Sequence, residues 1–442
     1  MPHVLQMQKD GVTFTNYFVT NSLCCPSRSS IFTGRYPHNT GSYRNMGDDG
    51  GYAAFKNRGY EAATFSVALS AAGYRTAMLG KYLNGYRPID PVAPGWTAWA
   101  VAGGAGYREF NYRLNENGNP ASYGNQPSDY LTDVLAGQAG RFIRERAGQP
   151  FFIEIATFAP HAPYVPAPRD AEALAGVHAP RTPAFNAALE PDMPKWLLGR
   201  EALSETDMAN IDRDFRKRAQ SVLAVDKMIA DLMATVAAIG EEKNTYFVFS
   251  SDNGYHMGEH RHMPGKMTAF DTDIRVPLIL RGPGVPAGRT IDAIALNIDL
   301  YSTFTELGGA AAAANVDGHS LVPLLRGEPV SEWRSLALIE HRGPHRDRND
   351  PDAPGQRSGN PPTYEAIRGG TFLYVEYADG MKEFHDLSSD PYELHNGYAG
   401  LSAKEQASLS AALAAAKSCQ GSEHCWKAER LNREQLGAAT AR

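Results

Sequence analysis

Two adjacent cysteines, Cys24 and Cys25, open the run CCPSR within NSLCCPSRSSIFTGRYPHN, Asn21 to Asn39. Pro26 suits the first turn of a helix, Ser27 to Phe32 can continue it, and Gly34 can end it. A helix N-terminus offers free backbone N–H groups and partial positive charge, and Arg28 adds a fixed cation whose fork matches oxyanions. Cys24 would then stand at the mouth of an anion pocket. From Cys-Pro alone, a buried structural cysteine beside a helix cap explains the pair better. Further candidates follow runs that read as strands: Lys81 after TAMLG, His161 after FFIEIATFA, and Asp252 with Asn253 after TYFVFS. Open α/β sheets build their sites just beyond the carboxyl ends of strands. Asp252 and Asn253 offer oxygens to a hard divalent cation, or else form an Asx turn with Gly254. Taken singly, Lys266 in MPGKMTAFD reads as a solvated lysine and His161 as a loop histidine.

The elements that must position these groups alternate. TFSVALSAAG reads as a helix closed by Gly73, and YRTAMLG as a strand ending near Lys81. In DYLTDVLAGQAGRFIRERAG, Leu131, Val134, Leu135, Phe142 and Ile143 share one helical face, and FFIEIATFA follows as a buried strand. A long helix from about Ser204 to Ile239 precedes the strand at Thr245 to Ser250; VPLILRG and IDLYSTFTELGG add a further strand and helix. The expected fold is α/β, a large mostly parallel sheet flanked by helices. After the Pro-rich run HRGPHRDRNDPDAPGQRSGNPP, short antiparallel strands and a terminal helix imply a smaller C-terminal α+β module. The expected division is 1–330 for the catalytic domain and 331–442 for this module.

Composition narrows the partners. The 442 residues carry a formal charge of −6, with 43% hydrophobic and 21% charged content. No basic stripe of the kind that binds nucleic acid occurs, and no polybasic membrane anchor. No apolar run approaches the roughly 20 residues that span a bilayer, and MPHVLQMQKDG lacks the apolar core of a signal peptide. Cys419 and Cys425 lie close enough in SCQGSEHCW to form a disulfide, which would place the chain in an oxidising compartment, or they are two separate thiols.

The run C-x-P-S-R, followed by a helix and then TGRYPHN, resembles the signature of the type I, formylglycine-dependent sulfatases of the alkaline phosphatase superfamily. The resemblance is carried by Cys24, Cys25, Pro26, Ser27, Arg28, Thr33, Gly34 and Arg35. It extends through GYRTAMLGKYLNGY, FAPHAPY, SDNGYHMGEH, DIRVPLILRGPG and DPYELHN, nearly the whole chain. It implies that Cys24 becomes formylglycine by the action of a formylglycine-generating enzyme, and that Cys25 is a small packing residue. It assigns catalytic roles to Cys24, Arg28, Lys81, His161 and Lys266, and metal ligation to Asp252, Asn253 and residue 24. The implied cation is Ca²⁺, with Mg²⁺ as second choice. His256 and His260 match less securely, as supporting groups or substrate contacts. The implied activity is hydrolysis of sulfate monoesters on a small molecule or glycan. GKYLN, in place of the GKWH of many arylsulfatases, points to the branch acting on sulfated glucosamine.

One departure is expected to matter. The family's chains begin with a buried strand ending in paired aspartates that bind the cation, whereas this sequence starts at what resembles the first helix. Asp10, before Gly11, does not match that pair. An upstream strand with two aspartates, preceded by a secretory leader, is the corresponding expectation, with a secreted or periplasmic location. Two other functions fit the same pocket: a phosphate or phosphonate ester hydrolase, and an inactive glycan-binding remnant.

Overall fold

The computed structural model describes residues 1–430 except Arg146, Arg348, Asn349 and Gln356; residues 431–442 of the expected C-terminal module lie outside the described residues. The strands in chain order are β1 (Val12–Phe14), β2 (Tyr17–Phe18), β3 (Arg75–Lys81), β4 (Ala98–Ala102), β5 (Tyr112–Glu116), β6 (Asn119–Tyr123), β7 (Phe151–Ala156) and β8 (Phe247–Ser250). They continue as β9 (Leu278–Arg281), β10 (Arg289–Ile291), β11 (Ala295–Leu296), β12 (Leu336–His341), β13 (Tyr364–Gly369), β14 (Phe372–Tyr377) and β15 (Lys382–Asp386).

The central layer is divided. A 5-stranded sheet runs β6-β5-β4-β3-β7 and a 4-stranded sheet runs β10-β1-β9-β8. β3 is parallel to both β4 and β7, as the alternating pattern predicts, while the β4-β5-β6 meander is antiparallel. β9 runs antiparallel to β1 and β8, a direction that VPLILRG does not encode, because an apolar run looks the same in both senses. β7 and β8 each end their sheet, and both are half-buried along their length rather than buried as the sequence predicts for β7. Their facing edges line one cavity of about 890 Å³, which also touches Met7, Val225, Met228, Ile229 and Phe304 and reaches Cys24.

Helices cover the faces. Helix Leu131–Glu145 buries Leu131, Leu135, Ala139, Phe142 and Ile143 on one stripe, against the long helix Glu205–Ala238 and β3. Each fully buried large side chain contributes about 1.5–3 kcal/mol. Ser204 caps the long helix, accepting from the Asp207 N–H, and Asp207 returns a bond to the Ser204 N–H. Helix Pro2–Asp10 has no side-chain cap of its own; the Asp226 carboxylate of the long helix accepts from the His3 and Val4 amides at 3.0 and 3.2 Å. Beyond residue 330, β12 to β15 form a 4-stranded antiparallel sheet packed with helix Ala403–Ala416. Cys419 and Cys425 form a disulfide. Among the described residues, no helix is long and apolar enough to cross a membrane.

Candidate active site

Helix Cys24–Thr33 starts from extended Leu23 and stops at Gly34, whose φ of +66° is left-handed and suits glycine. Nearly all of the helix is buried, so its N-terminal end is fixed by its surroundings. The Cys25 amide donates to Asn45 Oδ1 at 2.8 Å, and the Cys25 thiol accepts from the Gly51 amide at 3.2 Å. Cys25 therefore faces packing, and Cys24 faces the cavity.

Around Cys24 Sγ, which stands where the oxygens of a formylglycine hydrate would lie, the sequence candidates converge. Lys266 Nζ donates to it at 3.0 Å, and its S–H donates to Asn253 Oδ1 at 3.4 Å. Cys24, Arg28, Lys81, His161, Asp252, Asn253 and Lys266 line the same cavity. Lys81 is the last residue of β3, and its ammonium lies 5.1 Å from the centroid of the Tyr107 ring. Gly80 allows this placement. Its φ is +96°, and a Cβ there would lie 2.1 Å from the Ala156 carbonyl oxygen on β7. His161 follows β7, with Nδ1–H donating to the Ala162 carbonyl at 2.8 Å, and its Nε2 lies against Asp352 Oδ1 at 2.5 Å.

Arg28 is placed differently from the expectation of a free fork. Its guanidinium donates to the Tyr82 and Lys81 carbonyls and to Glu154 at 3.3 Å, and lies 3.7 Å from Asp252. It ties the end of β3 to Asp252 and Glu154. His256 and His260 stand behind the pocket. His256 is held between Asp273 at 3.0 Å and the Ser358 carbonyl at 2.7 Å, and His260 stacks on Phe270; both are buried, so neither is open to substrate.

The charges are dense and balanced. Burial pulls the Lys81 and Lys266 ammonium groups down, but neighbouring Cys24, Asp252 and Asp352 outweigh it and raise both pKa values. Burial raises Asp252, yet Lys81, Arg28 and Lys266 leave it below the usual carboxylate range. Burial and Asp352 push the Cys24 thiol up to about 11, so the unconverted side chain is a neutral thiol at pH 7. Glu154 is pushed up to about 7, by burial above all.

Asp352, Asn45, Tyr107 and Glu154 escaped the sequence reading. Asp352 is the most consequential, with Oδ1 at 2.5 Å from His161 Nε2 and 2.7 Å from Lys266 Nζ. Its only sequence signal was an acidic residue in a Pro-rich loop.

A divalent cation needs oxygens. Asp252, Asn253 and residue 24, once it carries oxygen, are the right donors but fall short of the roughly six to eight that Ca²⁺ takes. Cys24, His161 and Asp352 also lie within 4.8 Å of one another, but the Lys266 ammonium contacts both Cys24 and Asp352, so this trio does not fit a cation.

A layered α/β core with a cysteine-headed helix facing lysines, a histidine and an Asp-Asn pair defines an ester hydrolase of anionic groups. The sulfatase family model matches residues 1–310, and the chain belongs to that family. The C-terminal model of N-sulphoglucosamine sulphohydrolase matches residues 258–418. Human N-acetylglucosamine-6-sulfatase is 35% identical over 417 residues, covering 87% of this chain and 75% of its own. An N-acetylglucosamine-6-O-sulfatase of Bacteroides thetaiotaomicron is 26% identical over 462 residues, covering 89% and 77%. A protein solved with its substrate D-glucosamine-2-N,6-O-disulfate superposes with a TM-score of 0.78 at 24% identity, covering 93% of this chain and 91% of that one. The phosphonate monoester hydrolase of Silicibacter pomeroyi reaches 0.68 at 23% identity, covering 93% and 88%. The chain is a sulfuric ester hydrolase of a family that uses formylglycine and a divalent cation.

Proposed function

We propose that this sulfatase removes sulfate from 6-O-sulfated glucosamine units, as free sugar or in a glycan, with Cys24 as the formylglycine precursor. The observation that carries the reading is the convergence of Lys266 and Asn253 on Cys24, with Lys81, His161, Asp252 and Arg28 lining the same cavity. The 35% identity to an N-acetylglucosamine-6-sulfatase supports the choice of sugar.

Cys24, once converted, would hold a hydrated aldehyde, whose chemistry would supply a nucleophilic hydroxyl toward sulfur and a second hydroxyl for release of sulfate. Asp252, Asn253 and residue 24 would hold the cation, Ca²⁺ in this reading, which supplies Lewis acidity when bound. Lys266 and Lys81 offset the negative charge that grows on the sulfuryl oxygens. His161 keeps Nδ1–H on the Ala162 carbonyl, so Nε2 is the atom that passes a proton to the departing sugar oxygen when the ring is in its imidazolium form. Arg28 holds Asp252 and the Lys81 backbone in register.

The same reading assigns residues 1–330 to the catalytic domain and 331–442 to a module that delivers Asp352. It fills the groove between β7 and β8 with a further strand, whose carboxylates at the Cys24 end would complete the cation's oxygens. Two facing strand edges, each with no strand paired to it among the described residues, beside apolar walls support that strand. A formylglycine-generating enzyme is the implied partner, and neither nucleic acid nor membrane is. A secreted or periplasmic location agrees with the disulfide.

The test compares release of sulfate from N-acetylglucosamine-6-sulfate with cleavage of an aryl phosphonate monoester. Higher kcat/KM on the sulfated sugar is expected. Preference for the phosphonate, or saturable sugar binding without sulfate release, overturns the proposal.

A further inference from the structure

Asp352 lies between β12 and β13, within the described residues 350–355, and its side chain is only 2% exposed. One carboxylate oxygen meets Lys266 Nζ at 2.7 Å and His161 Nε2 at 2.5 Å; the other accepts from Asn45 Nδ2 at 2.8 Å. Lys266 is the cation that also touches Cys24. An internal carboxylate thus occupies the Lys266 ammonium and the Nε2 side of His161, the two positions that an oxyanion beside residue 24 would need. Burial would raise its pKa, but Lys266, His161 and Lys81 hold it well below the usual carboxylate range, so it stays charged. The same atoms cannot serve a sulfate ester while they serve Asp352, and like charges at that distance disfavour one another.

The tether is local. The Asp352 amide donates to Asp350 Oδ1 at 2.9 Å, and Asn45 Nδ2 also donates to that oxygen at 3.1 Å. No strand or helix fixes Asp350 to Asp352, so the carboxylate can leave at the cost of these contacts and the two ionic ones.

We propose that Asp352 is a self-inhibitory carboxylate, an internal stand-in for the sulfate group, and that a sulfate ester engages Lys266 and His161 only after the segment carrying Asp352 has let go. The proposal rests on this pocket being the sulfate site. Apparent affinity for sulfate is then reduced by the fraction of molecules whose pocket is free.

The experiment uses inorganic sulfate and protein in which Cys24 remains a thiol, so it needs no turnover. Calorimetric titration compares the wild type with Asp352→Asn and Asp352→Ala, with circular dichroism as the check of fold. Sulfate is expected to bind both variants about tenfold or more tightly, as for a pocket blocked at least nine-tenths of the time. Equal or weaker binding by the variants overturns the proposal and instead makes Asp352 a positioning residue for His161. No binding by any of the proteins removes the sulfate pocket itself, and the proposal with it. A second measurement uses the wild type alone and does not depend on the variants folding. Saturating sulfate should speed hydrogen exchange at the Asp352 amide as its bond to Asp350 loosens, and unchanged or slower exchange contradicts release.

Discussion

Cys24 and Cys25 are neighbours in sequence with opposite surroundings, and substitution should separate them. Cys24 faces Lys266 and Asn253; Cys25 packs under the Gly51 amide with its sulfur also near Ser29 and Ser42. Cys25→Ala should lower stability by about 1–3 kcal/mol, read from the denaturant midpoint, and leave kcat within a few-fold. Loss of activity without loss of stability would mean that Cys25 reaches the chemistry. At this scale the motif made most of the pocket legible, because CCPSR, the strand-end lysine and histidine, and SDNG each carry a local signal. Asp352 had none. It meets His161 across 191 residues of sequence, and only the fold brings the loop back to Lys266. The engagement of Arg28 by backbone carbonyls was hidden for the same reason.

The pocket depends on the pairing of β3 with β7, which brings Lys81 and His161 to the same cavity. Gly80→Ala should therefore fail twice, through a left-handed φ and through contact with the Ala156 carbonyl. A loss of about 2–4 kcal/mol and a much larger KM are expected, measured by thermal unfolding and by steady-state kinetics. A stable, fully active Gly80→Ala enzyme would show that the β3–β7 register is not what holds the site. Periodicity located β3, β7 and β8 because each is a short apolar run bounded by turn residues. It misjudged the burial of β7, which depends on what lies beside it: its free edge faces the β8 groove. Strand direction in the β1-β9-β8 sheet was illegible, since it is set by long-range pairing.

The whole molecule carries buried histidines that should make it sensitive to acid. Burial lowers His260 and His341 to about 3, whereas each titrates near 6.5 when unfolded. Below pH 6.5 the unfolded chain therefore binds more protons. Stability should fall with pH by up to about 1.4 kcal/mol per unit for each such histidine, levelling off only near pH 3. His341→Phe should flatten the curve between pH 6 and 4 in urea titrations; an unchanged slope would rule out His341 as a source. Whether residue 24 meets a sulfate ester as formylglycine can be measured in one experiment. The protein is made with graded amounts of a formylglycine-generating system, the Asn21 to Arg28 peptide is analysed by mass, and sulfate release from N-acetylglucosamine-6-sulfate is measured on each sample. Activity should rise in proportion to the aldehyde fraction at residue 24 and vanish in Cys24→Ala. Sulfate release that is independent of that fraction, or an aldehyde mapped to residue 25, would contradict formylglycine at residue 24 as the reacting group.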